Sequence, residues 1–75
     1  MDLGANIRGA RKKAGITQFE LAERLKVYQK DISRWENGEH IPGVDTISEI
    51  CRALNVSADI LLETGINKNG ESKAI

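Results

Sequence analysis

The residues with the clearest capacity for chemistry lie in the segment QKDISR, residues 29–34. Gln29 has a carboxamide that both donates and accepts hydrogen bonds, which suits the edge of an adenine base. Lys30 and Arg34 are cationic donors suited to guanine, and a spacing of four residues places them on one face of a helix. Ser33 adds a hydroxyl that suits a base or a phosphate. We therefore predict a surface that contacts base edges in duplex DNA, and the alternative is a merely solvated helix face.

Two short predicted helices position these side chains. Thr17 opens the first helix and Glu20 follows three residues later, which is the spacing of a reciprocal capping box. The second helix is predicted from about residue 29 to residue 37, ended by Gly38. Tyr28 stands where a small hydroxyl or carboxamide cap is expected, so this helix start is predicted to be poorly capped. Because the turn between the helices is brief, the second must cross the first.

Three further helices complete an all-α prediction. The first is indicated by apolar residues at helical spacing, Leu3, Ile7, Ala10 and Ala14, and the fourth by Ile47, Ile50, Cys51 and Leu54. Ser57 caps a short fifth helix that Gly65 ends. We expect residues 1–64 to form one domain and residues 65–75 to form a polar, disordered tail.

The charge distribution is uneven although the net charge is zero, with 11 basic and 11 acidic residues. Residues 1–38 contain eight basic and five acidic side chains, a balance of +3, and residues 39–75 contain three and six, a balance of −3. Phosphate binding depends on the local patch of charge, so the first half remains suited to nucleic acid. The zero total predicts weak non-specific affinity at physiological salt.

Several function classes are not supported by the sequence. Cys51 is the single cysteine, which rules out an intrachain disulfide and a cysteine-rich metal site. The sequence contains no glycine-rich phosphate loop and no cluster of metal ligands, so we expect no enzyme activity, no metal and no cofactor. No apolar run resembles a leader or a membrane span. We expect a cytoplasmic protein with no membrane partner and no small-molecule ligand.

A resemblance to a known family is carried by the stretches ITQFELAERL, ISRWENG, the Pro42 loop, ISEICRAL and NVSADILL. In this order and spacing they resemble the helix-turn-helix domains of phage repressors and Cro-like regulators, the XRE-type family, over about residues 3–64. The resemblance implies a compact five-helix bundle, a lambda-repressor-like domain that binds a double-stranded DNA operator. It further implies a transcriptional repressor acting as a homodimer on a palindromic sequence. The alternative is an antitoxin-type module that binds a protein partner and also autoregulates its operon.

The same resemblance implies residues that hold phosphates and a dimer contact. Gln18 at the start of the second helix and Asn37 after the third are expected to contact phosphates. Lys12 and Lys13 belong to a basic patch, with Arg8 and Arg11, that either faces phosphate or is solvated. The dimer contact is expected at the fifth helix, through Ile60 or Leu62, and at the loop before the fourth helix.

The last expectations concern an ion pair and three departures from the family pattern. Arg11 has a second candidate role, which is an ion pair with Glu36 that ties the first helix to the third. Lys26 replaces the glycine usual in the turn, where a left-handed backbone is often needed. Tyr28 replaces the small cap and is expected to contact a base or the DNA backbone. Asp31 either accepts a hydrogen bond from cytosine or discriminates against wrong sites.

Overall fold

The computed structural model describes residues 2–62, which form five α-helices and no strand. The helices are α1 (Leu3–Lys13), α2 (Gln18–Leu25), α3 (Gln29–Glu36), α4 (Val44–Leu54) and α5 (Ala58–Leu62). The predicted all-α class is therefore confirmed. The predicted tail at residues 65–75 and the predicted domain end at residue 64 lie outside the described residues.

The core receives one fully buried aliphatic side chain from each helix. These five residues, all without measurable exposure, are Ile7, Leu21, Ile32, Ile50 and Leu61. Around them, α3 packs against both α1 and α2, α4 packs against α2, and α5 packs against α1. The third helix is thus supported on two sides, and one of its faces remains open to solvent.

The backbones of α1 and α3 approach each other closely at Gly4. A Cβ atom at this position would lie 2.6 Å from the carbonyl oxygens of both Trp35 and Glu36. No side chain fits in that space, so glycine is required for the observed spacing of the two helices. This contact sets the position of the C-terminal end of α3 relative to α1.

The two helices of the central pair begin differently. At α2, the Glu20 backbone N–H donates to Thr17 Oγ1 at 3.0 Å and the Thr17 backbone N–H donates to Glu20 Oε1 at 2.8 Å, so the predicted capping box is present. At α3, the Tyr28 side chain makes no capping hydrogen bond. The Asp31 carboxylate compensates in part, because it accepts a hydrogen bond from the Tyr28 backbone N–H at 3.2 Å.

The turn between α2 and α3 contains a strained residue. Lys26 has φ 59° and ψ 43°, the left-handed conformation that the glycine of the family pattern supplies without strain. For a residue with a Cβ this conformation costs roughly 1–2 kcal/mol. The prediction of a left-handed backbone in this turn is confirmed, and the exposed Lys26 adopts it despite that cost.

The buried face of α1 differs from the predicted one at two positions. The helix ends at Lys13, and Ala14 is an exposed cap residue, so the expectation that it continues the apolar stripe is wrong. Arg11 is buried, which excludes it from the exposed basic patch and agrees with its second candidate role, the ion pair with Glu36. It lies four residues after Ile7 on the same face, and a carboxylate on α3 satisfies its charge. Within residues 2–62, no helix has the length and apolar character needed to cross a membrane.

Candidate nucleic-acid interface

Side chains from α2 and α3 line one open depression on the surface. Its lining residues are Gln18, Gln29, Lys30, Ser33, Arg34 and Glu39. Four of the five residues predicted to contact bases therefore lie together, with one residue predicted to contact phosphate. Gln29, Lys30 and Arg34 are exposed, whereas the opposite side of the same helix carries the buried Ile32. The depression has the polar donors and acceptors that base edges require.

Tyr28, the fifth residue predicted to contact bases, lies beside this depression at the start of α3. Its side chain is 74% exposed and makes no capping hydrogen bond at the helix start. The Lys30 ammonium lies 5.6 Å from the centroid of the Tyr28 ring, within the range of a cation–π interaction. The ring therefore restricts the position of a cationic donor at the N-terminal end of α3, the part of such a helix that enters a groove most deeply.

A buried ion pair supports α3 from behind. Arg11 Nε donates to Glu36 Oε2 at 2.6 Å and Arg11 Nη2 donates to Glu36 Oε1 at 3.2 Å, so the pair is bidentate. The remaining guanidinium nitrogen, Nη1, donates to the Ile16 carbonyl oxygen at 2.8 Å. The Arg11 side chain thus joins α1, the residues that precede α2, and the last residue of α3. The half-exposed Arg8 adds a second cation, with Nε 3.8 Å from Glu36 Oε1.

Gln18 is also attached to this ion pair. Its Nε2 donates to Glu36 Oε1 at 3.0 Å, which links the first residue of α2 to the last residue of α3. The residues are 18 positions apart, and neither helical spacing nor capping rules connect them. Sequence reasoning placed Gln18 at a phosphate but did not find this bond, since it depends on how the two helices cross.

The other residues predicted to contact phosphate occupy two separate places. Asn37 lies just after α3 and is exposed, with its Nδ2 donating to Ser33 Oγ at 3.3 Å. Lys12 and Lys13 are exposed in the last turn of α1. The structure therefore puts Asn37 next to the α3 depression, while the two lysines form part of another helix.

The other aromatic side chains, the cysteine and the histidine lie outside the α3 depression. Phe19 is exposed on α2, and Trp35 is half-buried and packs against the core. Cys51 is buried in the core on α4, and burial raises the pKa of its thiol, so the thiolate is disfavoured. His40 is exposed in the loop after α3.

Comparison with known proteins assigns this arrangement to a family. The sequence pattern of the family described as Helix-turn-helix matches residues 7–61. The HTH-type transcriptional regulator ImmR of Bacillus subtilis is 37% identical over 73 residues, which are 96% of this chain and 58% of ImmR. Antitoxin PezA of Streptococcus pneumoniae is 36% identical over 55 residues, which are 73% of this chain and 35% of PezA. The chain thus spans little more than half of ImmR and about a third of PezA.

The fold of a solved structure supports the same assignment. The crystal structure of the P22 c2 repressor protein in complex with synthetic operator 9T superimposes with a TM-score of 0.75 and 34% sequence identity. The match covers 81% of this chain and 92% of the repressor chain. Such regulators are not a class of enzymes. The chain belongs to the XRE-type helix-turn-helix family of DNA-binding transcriptional regulators.

Proposed function

We propose that the chain binds a double-stranded DNA operator as a homodimer and represses transcription there, with α3 in the major groove. One observation carries the proposal. The exposed polar row Gln29, Lys30 and Arg34 lies on a helix whose opposite face is fixed by the buried Ile32 and Glu36. Because the helix is held from behind, its backbone needs little ordering when the outward side chains meet the DNA.

Specific roles follow from the chemistry of each side chain. Gln29 pairs with an adenine edge, and Lys30 and Arg34 donate to guanine O6 and N7. Ser33 and the exposed Tyr28 ring supply the remaining base contacts, a hydroxyl and an apolar surface suited to a thymine methyl group. These contacts select the operator sequence, whereas phosphate contacts from Lys12, Lys13, Asn37 and Gln18 position the protein.

Exposed apolar side chains support the homodimer. In the described residues, Ile41 in the loop before α4 is 82% exposed, Val44 at the first position of α4 is 80% exposed, and Ile60 on α5 is 66% exposed. Pairing of two copies through α5 and this loop, with Leu62 at its edge, would cover such surface. In this arrangement the two recognition helices lie about 34 Å apart, one turn of DNA. The protein then acts in the compartment that holds the DNA, the cytoplasm.

Footprinting of the DNA upstream of the gene, at several salt concentrations, tests the proposal. We expect protection of a palindrome and a steep loss of affinity as salt rises, since phosphate contacts release counterions. Arg34→Ala should reduce affinity for the preferred sequence by about fivefold to a hundredfold and relax its selectivity. The matched control Lys12→Ala should weaken all sequences alike. Unchanged sequence preference in the Arg34→Ala protein would disprove the assigned reading face.

An antitoxin-type function is the second candidate, favoured by the similarity to Antitoxin PezA. Residues 39–62 carry four acidic side chains and one basic side chain, which suits a basic protein partner. The candidate predicts that a gene beside this one is toxic when expressed alone and harmless when co-expressed with this chain. Growth assays with each neighbouring gene decide the point, and repression without any such toxicity would support the plain regulator.

A further inference from the structure

The Tyr28 ring belongs neither to the core nor to a helix cap. It makes no capping hydrogen bond at the start of α3, and it is not among the apolar side chains that form the core or pack against it. The ring is instead largely exposed to solvent at the N-terminal end of this helix. A large apolar surface at the start of the proposed recognition helix is therefore available to a ligand.

The Lys30 ammonium lies beside this ring, 5.6 Å from its centroid. A cation–π contact of this length limits the positions that a flexible lysine side chain visits. Lys30 also lines the α3 depression, together with Gln29 and Arg34. Tyr28 and Lys30 thus present an apolar surface and a cationic donor side by side.

The major groove offers a matching pair of groups. Its apolar group is the C5-methyl of thymine, which suits an aromatic ring, and O6 and N7 of guanine are acceptors that suit an ammonium. The ring centroid and the ammonium of this protein are 5.6 Å apart, which is less than two base-pair steps of about 3.4 Å each. The two side chains therefore meet the same base pair or neighbouring base pairs.

We infer that Tyr28 and Lys30 act as one unit that recognises a guanine together with a C5-methylated pyrimidine, thymine or 5-methylcytosine, in the same or an adjacent base pair. The inference rests on the proposed binding of operator DNA by α3 and adds that the two readings are coupled. The ring contacts the methyl group directly and acts on the guanine as a positioning residue, through Lys30. Methylation of a cytosine at this place in the operator therefore strengthens binding.

The first stage of the experiment locates the guanine that Lys30 reads. In an operator defined by footprinting, each guanine is replaced in turn by 7-deazaguanine, which lacks the N7 acceptor, symmetrically in both half-sites. Dissociation constants of the wild type and of Lys30→Met identify the guanine whose penalty depends on Lys30. At each pyrimidine of the same and adjacent base pairs the methyl group is then varied, with uracil in place of thymine and 5-methylcytosine in place of cytosine.

The second stage compares variants of the ring on these operators. Tyr28→Ser removes the ring, whereas Tyr28→Phe keeps it and removes only the hydroxyl, which could otherwise donate to a phosphate. Phe19→Ser is the matched control, because it removes an exposed aromatic ring from α2. Thermal melting confirms that each variant is folded.

We expect the methyl group at one of these pyrimidines to raise the affinity of the wild type, Tyr28→Phe and Phe19→Ser by about threefold to tenfold, and that of Tyr28→Ser by less than about 1.5-fold. The penalty for 7-deazaguanine should also fall by at least about twofold in Tyr28→Ser, because the ring no longer restrains the ammonium.

The inference has several ways to fail. A methyl effect that is absent from the wild type, unchanged in Tyr28→Ser or lost in Tyr28→Phe would overturn it. So would an unchanged 7-deazaguanine penalty in Tyr28→Ser, or the absence of any guanine whose penalty depends on Lys30. In each of these cases the wild type still prefers its operator. A wild type that shows no sequence preference would instead overturn the proposed function, and this inference with it.

Discussion

The helices α2 and α3 make an instructive comparison, because they have the same length and opposite designs at their starts. Each spans eight residues and begins after an extended residue. At α2, Thr17 and Glu20 satisfy each other's backbone N–H groups through two hydrogen bonds. At α3, Asp31 provides one such bond and the Tyr28 side chain provides none. The start of α2 is stabilised by both of its capping side chains. At the start of α3, the Tyr28 side chain makes no capping bond and is exposed to solvent.

The weaker of the two helix starts lies at the proposed DNA interface. A serine at position 28 would cap α3, yet the chain has a largely exposed aromatic ring there, next to the Lys30 ammonium. The strained turn at Lys26 lies immediately before it. Departures from local stability at binding sites are a general pattern in proteins, because the site must present groups that the fold does not need.

The largest effect is expected from removal of Glu36, the α3 side chain that accepts hydrogen bonds from both α1 and α2. In Glu36→Ala the buried Arg11 loses its counter-ion and Gln18 loses its acceptor, so we expect a loss of about 3–5 kcal/mol in the free energy of unfolding, measured in urea. The double variant Arg11→Met/Glu36→Leu, which leaves no lone charge, should recover much of this loss. Equal stability of the single variant and the wild type would show that the pair does not hold α3.

A smaller effect is expected at the start of α2. Thr17→Ala removes the acceptor for the Glu20 backbone N–H and should lower the free energy of unfolding by about 1 kcal/mol, as followed by thermal melting. The matched variant at the start of α3, Tyr28→Ala, removes no capping bond and should change stability by less than half of that. Similar losses in both variants would contradict the difference between the two helix starts.

The comparison can be sharpened by giving α3 the cap that it lacks. Tyr28→Ser should raise the free energy of unfolding by up to about 1 kcal/mol, because a serine hydroxyl offers a second acceptor to the Asp31 backbone N–H, which donates to the carbonyl oxygen of residue 28 at 2.9 Å. The Asp31 carboxylate would still accept from the backbone N–H of residue 28. The same change should weaken operator binding, measured by fluorescence anisotropy, since the ring beside Lys30 is lost. Increased stability with undiminished binding would show that the ring has no role at the DNA.

The smallest effect concerns pH and again separates the two helix starts. Hydrogen bonds from the Thr17 backbone and then from its hydroxyl lower the pKa of Glu20 below its ordinary value of 4.5, with Arg24 contributing in the same direction. Because the folded pKa is the lower one, the stabilisation is present above the ordinary pKa and is lost as pH falls through the folded value. Unfolding curves between pH 6 and pH 3 should show a slightly smaller pH dependence in Glu20→Gln than in the wild type. An identical dependence would mean that the box does not favour the ionised carboxylate.

Local features of the sequence determined the helices and much of the candidate site. Thr17 and Glu20 are three residues apart, and the apolar residues of α4 repeat within one or two turns, so patterns that act over a few positions predict both elements. The same short-range rule placed Lys30 and Arg34 on one exposed face. The resemblance of several stretches to the XRE-type family predicted the family, and the comparisons with known proteins confirmed it.

Contacts between helices were decided only by the tertiary structure. The burial of Arg11, its third hydrogen bond to the Ile16 carbonyl, and the bond from Gln18 to Glu36 all depend on where α1, α2 and α3 cross. Helical periodicity shows which face of a helix is apolar, but it does not show which polar groups meet across a crossing. The sequence by itself thus determined α3 and most of its outward side chains. The hydrogen bond of the Gln18 amide nitrogen, in contrast, depends on a buried carboxylate 18 residues away, which only the crossing of the helices brings within reach.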